Sequence, residues 1–171
     1  GQAATTIPAR VLADDLRLIG IDDAGRTAVV IARSPQFDAD TYADLAQRDE
    51  QRAYLVDTAT EAVSAPCRSA SGTHTNGDCE LAAVSGDGRY VFFSSDGSNV
   101  HPDVPDAPVN WNQIYRRDLV TGALTYVTRS AAGGVASNGA TGATAIAVDA
   151  DGSRAVFHSA SAELVAGDTN N

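Results

Sequence analysis

The side chains best suited to chemistry are oxygen donors in two loops: Asp103, Asp106, Asn110 and Asn112 in one, Asp168 and Asn170 in the other. Carboxylate and amide oxygens are the hard ligands that calcium takes, so bound Ca2+ is the one cofactor these loops suggest. Their spacing is not that of an EF-hand, and Asx turns use the same residues, so a plain turn reading stands beside the ionic one. An ion here would stiffen a loop and stabilise the fold by mass action rather than act in catalysis. Trp111 lies next to these acids; exposed, its indole can stack on a sugar or another flat ligand, and buried, it anchors the loop.

Other catalytic constellations are missing. His74 and His101 fall in polar loops without a partner in sequence, and His158 takes a strand position where the preceding repeat has Ser94. No Gly-x-Ser-x-Gly elbow occurs; the nearest run, Val135-Ala136-Ser137-Asn138-Gly139, lacks its first glycine. Neither a His-Glu-x-x-His helix nor a phosphate-cradling Gly-Lys loop is present, so no catalytic residue is assigned. Cys67 and Cys79 bracket a polar loop that a disulfide can close if the flanking strand ends lie together. The alternatives are two buried thiols or half a zinc site, for which the three scattered histidines are poor partners. A disulfide places the chain outside the cytoplasm, in a periplasmic, cell-surface or secreted setting.

Composition limits the partners. Twelve Arg and no Lys face 22 acids, for a formal charge of -10, which repels a phosphate backbone and disfavours nucleic acid. Most of the acids are Asp, a residue of turns and loops. Hydrophobic residues make up 43% of the chain, enough for a folded core, and no apolar run is long enough for a membrane-spanning helix. With no Met in the sequence, the chain reads as processed or trimmed.

The elements that must carry the loops emerge from a repeat. Asp22-Asp23-Ala24-Gly25-Arg26, Ser85-Gly86-Asp87-Gly88-Arg89 and Asp149-Ala150-Asp151-Gly152-Ser153 recur at intervals of 63 and 64 residues. Each stands between short apolar runs: Leu18 to Ile21 and Ala28 to Ala32, Leu81 to Val84 and Tyr90 to Phe93, Ala145 to Val148 and Ala155 to Phe157. An Asp/Gly turn between such runs predicts a β-hairpin. A second phrase, Tyr54 to Thr60, returns as Tyr115 to Thr121 and leads through Thr121-Gly122 into an alternating strand, Ala123 to Arg129. Four strands per unit, A to D, predict an all-β chain of β-propeller blades, each covering its neighbour's apolar face.

These residues carry a family resemblance. Val84 to Ser95 and Ala147 to Phe157 are similar to the TolB-type, WD40-like propeller repeat, and Asn112 to Gly122 resembles its third strand and turn. The likeness covers Leu81 to Asn171 well and Leu18 to Ala65 more loosely, where Thr60-Glu61 replaces Thr-Gly. It implies a fold more than a function, because such repeats serve binding proteins and peptidase accessory domains alike.

The expected blades are 18–80 and 81–143, with half a third at 144–171. Residues 1–17, through a strand at Thr5 to Val11, supply the last strand of a preceding blade. That totals about two and three quarter blades where closed propellers use at least four, so a piece of a larger propeller is expected. Asp40 to Asp49 reads as a short helical decoration, and the proline-rich His101 to Pro108 as an irregular loop. The leading functional reading is an exported binding or structural scaffold for a protein or glycan ligand, without catalytic activity of its own. The alternatives are an accessory propeller of a larger, peptidase-like hydrolase, and a subunit that self-associates to complete its blades.

Overall fold

The computed structural model describes residues 16–32, 51–104, 112–136 and 145–168. These residues form ten strands and no helix. The expected strand at Thr5 to Val11 and the helix at Asp40 to Asp49 lie outside the described residues. The first sheet holds β1 (Arg17–Ile21), β2 (Thr27–Ala32), β3 (Arg52–Asp57) and β4 (Val63–Ser64) in sequential order. The second repeats that order with β5 (Cys79–Val84), β6 (Tyr90–Ser95), β7 (Gln113–Asp118) and β8 (Leu124–Tyr126). A third pairs β9 (Ile146–Val148) with β10 (Ala155–Phe157). All pairings are antiparallel, and the architecture is that of an incomplete β-propeller.

The register repeats with the sequence. β2 and β3 pair from Thr27 opposite Asp57 to Ala32 opposite Arg52, and β6 and β7 from Tyr90 opposite Asp118 to Ser95 opposite Gln113. β2 and β6 are near-continuous runs of β-branched, small and aromatic residues because both faces of a blade are buried, which removes the usual polar alternation. Val29, Ile31 and Leu55 pack with Val91, Phe93 and Tyr115 in a core cluster shared by the first two sheets. Phe92 and Ile114, from the other face of the second sheet, meet Ile146, Val148, Ala155 and Phe157 of the third.

The A–B turns are built alike. In each, the first residue's side chain, from Asp22, Ser85 or Asp149, accepts a backbone N–H four or five residues on. Gly25, Gly88 and Gly152 take φ of 71°, 73° and 67°, a region that costs other residues a Cβ clash. Neighbouring turns are tied together, the Asp23 amide donating to Gly86 O and the Asp87 amide to Ala150 O. A Cβ on Gly152 would lie 2.5 Å from the Tyr90 ring, so this glycine also permits the close approach of the second and third sheets.

The C–D corners share a second device. Asp57 Oδ1 accepts the Ala59 and Thr60 amides, and Asp118 Oδ1 those of Val120 and Thr121. Gly122 closes its corner at φ 75°, but Glu61 must adopt φ 61°. Relieving that left-handed strain with Glu61→Gly is expected to stabilise the chain by about 0.5–1 kcal/mol, net of the added freedom of the unfolded state. Denaturant midpoints of the two chains check it; an unchanged or lower midpoint would show that Glu61 is unstrained.

Candidate functional site

The B–C and D–A connections emerge at one end of the sheets, and the A–B and C–D turns at the other. The turn end is tightly knit. Arg89 donates to Asp118 Oδ2 at 2.8 Å, and in the first sheet Arg26 stands 3.8 Å from Asp57. The amides of Thr58 and Leu119 donate to Arg26 O and Arg89 O. The Arg89 bond, helped by two corner amides, holds the Asp118 carboxyl far below its usual range. Backbone amides lower Asp57 and Asp149, and the Ser85 hydroxyl lowers Asp87.

A group whose folded pKa is depressed contributes stability above its unfolded value and loses it as pH falls through the folded one. Stability is therefore expected to hold near neutrality and to fall below about pH 4, the ordinary Asp range. Urea unfolding at pH 7, 4 and 2.5 checks this. Asp118→Asn should flatten the acid slope, and a slope it leaves unchanged would remove Asp118 from the account.

The loop end carries the candidate site. Cys67, just after β4, and Cys79, at the start of β5, form a disulfide that fastens the connection between the first two sheets. Inside the loop it closes, Ser69 and Thr73 make a tight backbone turn, and the Ala70 amide crosses to Val100 O. Asn76 and Asn99 then lock the two connections reciprocally. The Asn76 amide donates to Asn99 Oδ1, Asn76 Oδ1 accepts the Ser98 amide, and Asn99 Nδ2 donates to His74 O. A Cβ on Gly77 would fall 2.6 Å from the Gly97 nitrogen, so glycine allows the two backbones to touch.

Between these connections lies an open depression of about 510 Å³ lined by Ala70, Ser71, Ser98, Asn99, His101 and Pro102. The His101 side chain is largely buried, 13% exposed. Its Nδ1 accepts the Asp103 amide at 3.1 Å, which leaves Nε2 to carry the proton in the neutral ring. Asp103 Oδ2 in turn accepts from Arg129 at 2.7 Å, and the Arg129 guanidinium lies over the Tyr126 ring at 5.4 Å. Arg129 holds the Asp103 carboxyl below its usual range. The Ser71 hydroxyl bonds to Ser69 and Thr73, and Ser98 Oγ accepts from Asn76. The depression thus offers hydroxyl, amide and imidazole groups for hydrogen bonding on a rigid wall.

Of the expected calcium ligands, Asp106, Asn110 and Asn170 lie outside the described residues, as does Trp111. Asp103 is held by a guanidinium, and Asn112 keeps a buried Oδ1 without a hydrogen-bond donor among the described residues. The Asp168 amide donates to Val165 O. No group of three or more His, Cys, Asp or Glu side chains able to hold a metal ion occurs among the described residues. His158, expected in a strand, lies just beyond β10.

Two supports of the site escaped the sequence reading. Arg117 Nε donates to Pro66 O, its Nη1 to Gly122 O, and its Nη2 to the carbonyls of Arg68 and Ser69. It thereby clamps the second sheet to the connection from the first. Buried Arg52 and Gln113 both open a third strand, and each donates to a D–A carbonyl, Thr75 O or Ala136 O. Gln113 Oε1 also accepts from Tyr126 and Thr128. Thr128 stands one repeat after Cys67, so this polar network occupies the place in the second unit that the disulfide has in the first. The repeat spacing was the available signal, but it aligns unlike residues there.

No family model matches the chain, and no curated protein matches it in sequence. Similar folds occur among solved structures. A TolB-type protein of Agrobacterium tumefaciens is 17% identical and superposes with a TM-score of 0.54, over 93% of this chain and 43% of that one. Further matches are the tricorn protease (18% identity, 84% of this chain, 11% of that one, TM-score 0.47) and TolB of Acinetobacter baumannii (15%, 80%, 25%, 0.45). The chain thus spans less than half the length of each of these three proteins, and at the level of fold it is similar to the TolB-type β-propeller.

Proposed function

We propose that the chain is a β-propeller module of an exported binding scaffold, with blades at 18–80 and 81–143 and the first half of a third at 144–171, and that its loop end makes the contact. The observation that carries this reading is the pre-organised depression at 70–71 and 98–102. Its walls are cross-linked by the Asn76–Asn99 lock and by a disulfide, so little ordering cost is left for binding. The polar lining suits a protein segment that presents its own donors and acceptors, and a glycan is the competing ligand. The disulfide supports an oxidising compartment, and among the described residues no helix is long and apolar enough to cross a membrane.

The test is a binding screen against envelope and secreted proteins and a glycan array, repeated with Ala70→Arg and His101→Ala. Binding that weakens at least tenfold in both variants, and not with Val120→Ser at the turn end, is the expected result. A ligand indifferent to both loop substitutions would place the contact elsewhere, and an array-only hit would make the ligand a glycan.

A further inference from the structure

The lock between the two connections has an Asn-Gly pair at its centre, and the fold dictates both residues. The Asn76 side chain works in two directions: Nδ2 donates to Ser98 Oγ at 2.9 Å, and Oδ1 accepts the amides of Ser98 at 2.9 Å and Asn99 at 3.4 Å. A carboxamide supplies that donor and acceptor together. Residue 77 is confined to glycine, because a Cβ would fall 2.2 Å from Asp96 Oδ1 and 2.6 Å from the Gly97 nitrogen. Asn76 is nonetheless exposed to water.

Asparagine followed by glycine is also the pair most open to an internal reaction, because the second residue has no side chain to shield its nitrogen or restrict its backbone. The Gly77 nitrogen attacks Asn76 Cγ, and the new N–C bond closes a succinimide ring. The side-chain nitrogen leaves as ammonia, taking up the proton that the Gly77 nitrogen gives away. Water, the only co-reactant, then opens the ring at either carbonyl. Cleavage at Cγ leaves aspartate on an unchanged main chain. Cleavage at the original peptide carbonyl leaves isoaspartate, whose main chain runs through the former side chain. Aspartate keeps an acceptor for the Ser98 and Asn99 amides, and the Ser98 hydroxyl can turn to donate to it. Isoaspartate instead adds a methylene to the backbone where there is no room for a Cβ, and it carries its carboxylate on a shorter branch.

We propose that Asn76 is a self-modification site whose rate is set by the lock: it deamidates when the lock opens, and the isoaspartate that forms keeps the lock from closing again. While Ser98 and Asn99 hold both ends of the carboxamide, it is not free to turn onto the Gly77 nitrogen, so the reaction draws on the open form. The result is a one-way chemical timer on the loop end, where Ser98 and Asn99 line the depression. A consequence for ligand binding rests on the proposed role of that depression. The modification itself does not, and mass and hydrogen exchange read it without a ligand.

The test ages the full chain in warm, mildly alkaline buffer beside a free peptide of sequence Thr73–Asp78, with peptide mapping by mass to separate Asn76 from Asn138. The full chain is expected to form isoaspartate at position 76 about tenfold or more slowly than the peptide. Asn99→Ala, which removes the bonds to the Asn76 amide and to His74 O, should speed the reaction about fivefold or more. Circular dichroism checks that it folds, and the milder Ser98→Ala, which removes only the Oγ partner of Nδ2, should fall between it and wild type. The isoaspartate fraction, isolated by chromatography, should lose exchange protection at the Ser98 and Asn99 amides, and Asn76→Asp should keep it. Wild type reacting as fast as the peptide, no isoaspartate in aged wild type, or variants no faster than wild type would overturn the proposal. So would unchanged protection in the isoaspartate form, or equal loss in Asn76→Asp, since charge rather than the lengthened backbone would then open the lock.

Discussion

Cys67→Ala/Cys79→Ala is expected to lower the unfolding free energy by about 3 kcal/mol. The pair closes a loop with a sequence separation of 12, and by the loop-entropy model a cross-link of that span removes about 3 kcal/mol of unfolded-chain freedom. Both sulfurs are buried in the cluster shared by the first two sheets, so the alanines also leave a small void. The loss reaches function through geometry: the loop released carries Ala70 and Ser71, one wall of the depression. Guanidinium unfolding of wild type and double variant under non-reducing conditions checks it. Equal midpoints would mean that the cross-link contributes nothing to the fold.

Arg117→Met is expected to cost about 2–3 kcal/mol, although no carboxylate is involved. The guanidinium donates to carbonyls of Pro66, Arg68, Ser69 and Gly122, and hydrogen bonds from a charged donor are the stronger kind. Burial and the nearby Arg68 charge lower the Arg117 pKa, but a guanidinium stays protonated regardless. Methionine keeps the apolar stem and leaves the carbonyls without their donor, which isolates the polar contribution. Arg117→Lys should recover only part of the loss, because an ammonium cannot span the same fan of acceptors. Full recovery by lysine would show that charge alone, and not the fork, holds the sheets together.

The strands and turns were legible because their signals are local. Gly25, Gly88 and Gly152 are needed wherever the A–B turn reaches positive φ, and the apolar runs that follow the first two, Ala28 to Ala32 and Val91 to Phe93, are buried. The disulfide was legible from the spacing of the only two cysteines. Arg117 was not, because backbone carbonyls accept its hydrogen bonds and carbonyls leave no mark in a sequence. The candidate site was the least legible part. Asp103 reads as a metal ligand from its loop, but the group that engages it, Arg129, lies on another connection and becomes a neighbour only through the fold. The lining of the depression likewise comes from two connections, with no spaced motif to announce it.

Two stacked four-stranded sheets, offset by 61 to 63 residues, hold the loops in place. Residue-resolved amide hydrogen exchange tests it most directly. Slowest exchange is predicted at equivalent places in the central strands, Val29 to Ile31 with Ala53 to Val56 and Val91 to Ser94 with Ile114 to Arg117, with the loop amides of Ala70 and Asn76 also protected. Protection confined to one of the two sheets, or rapid exchange at Ala70 and Asn76, would contradict it.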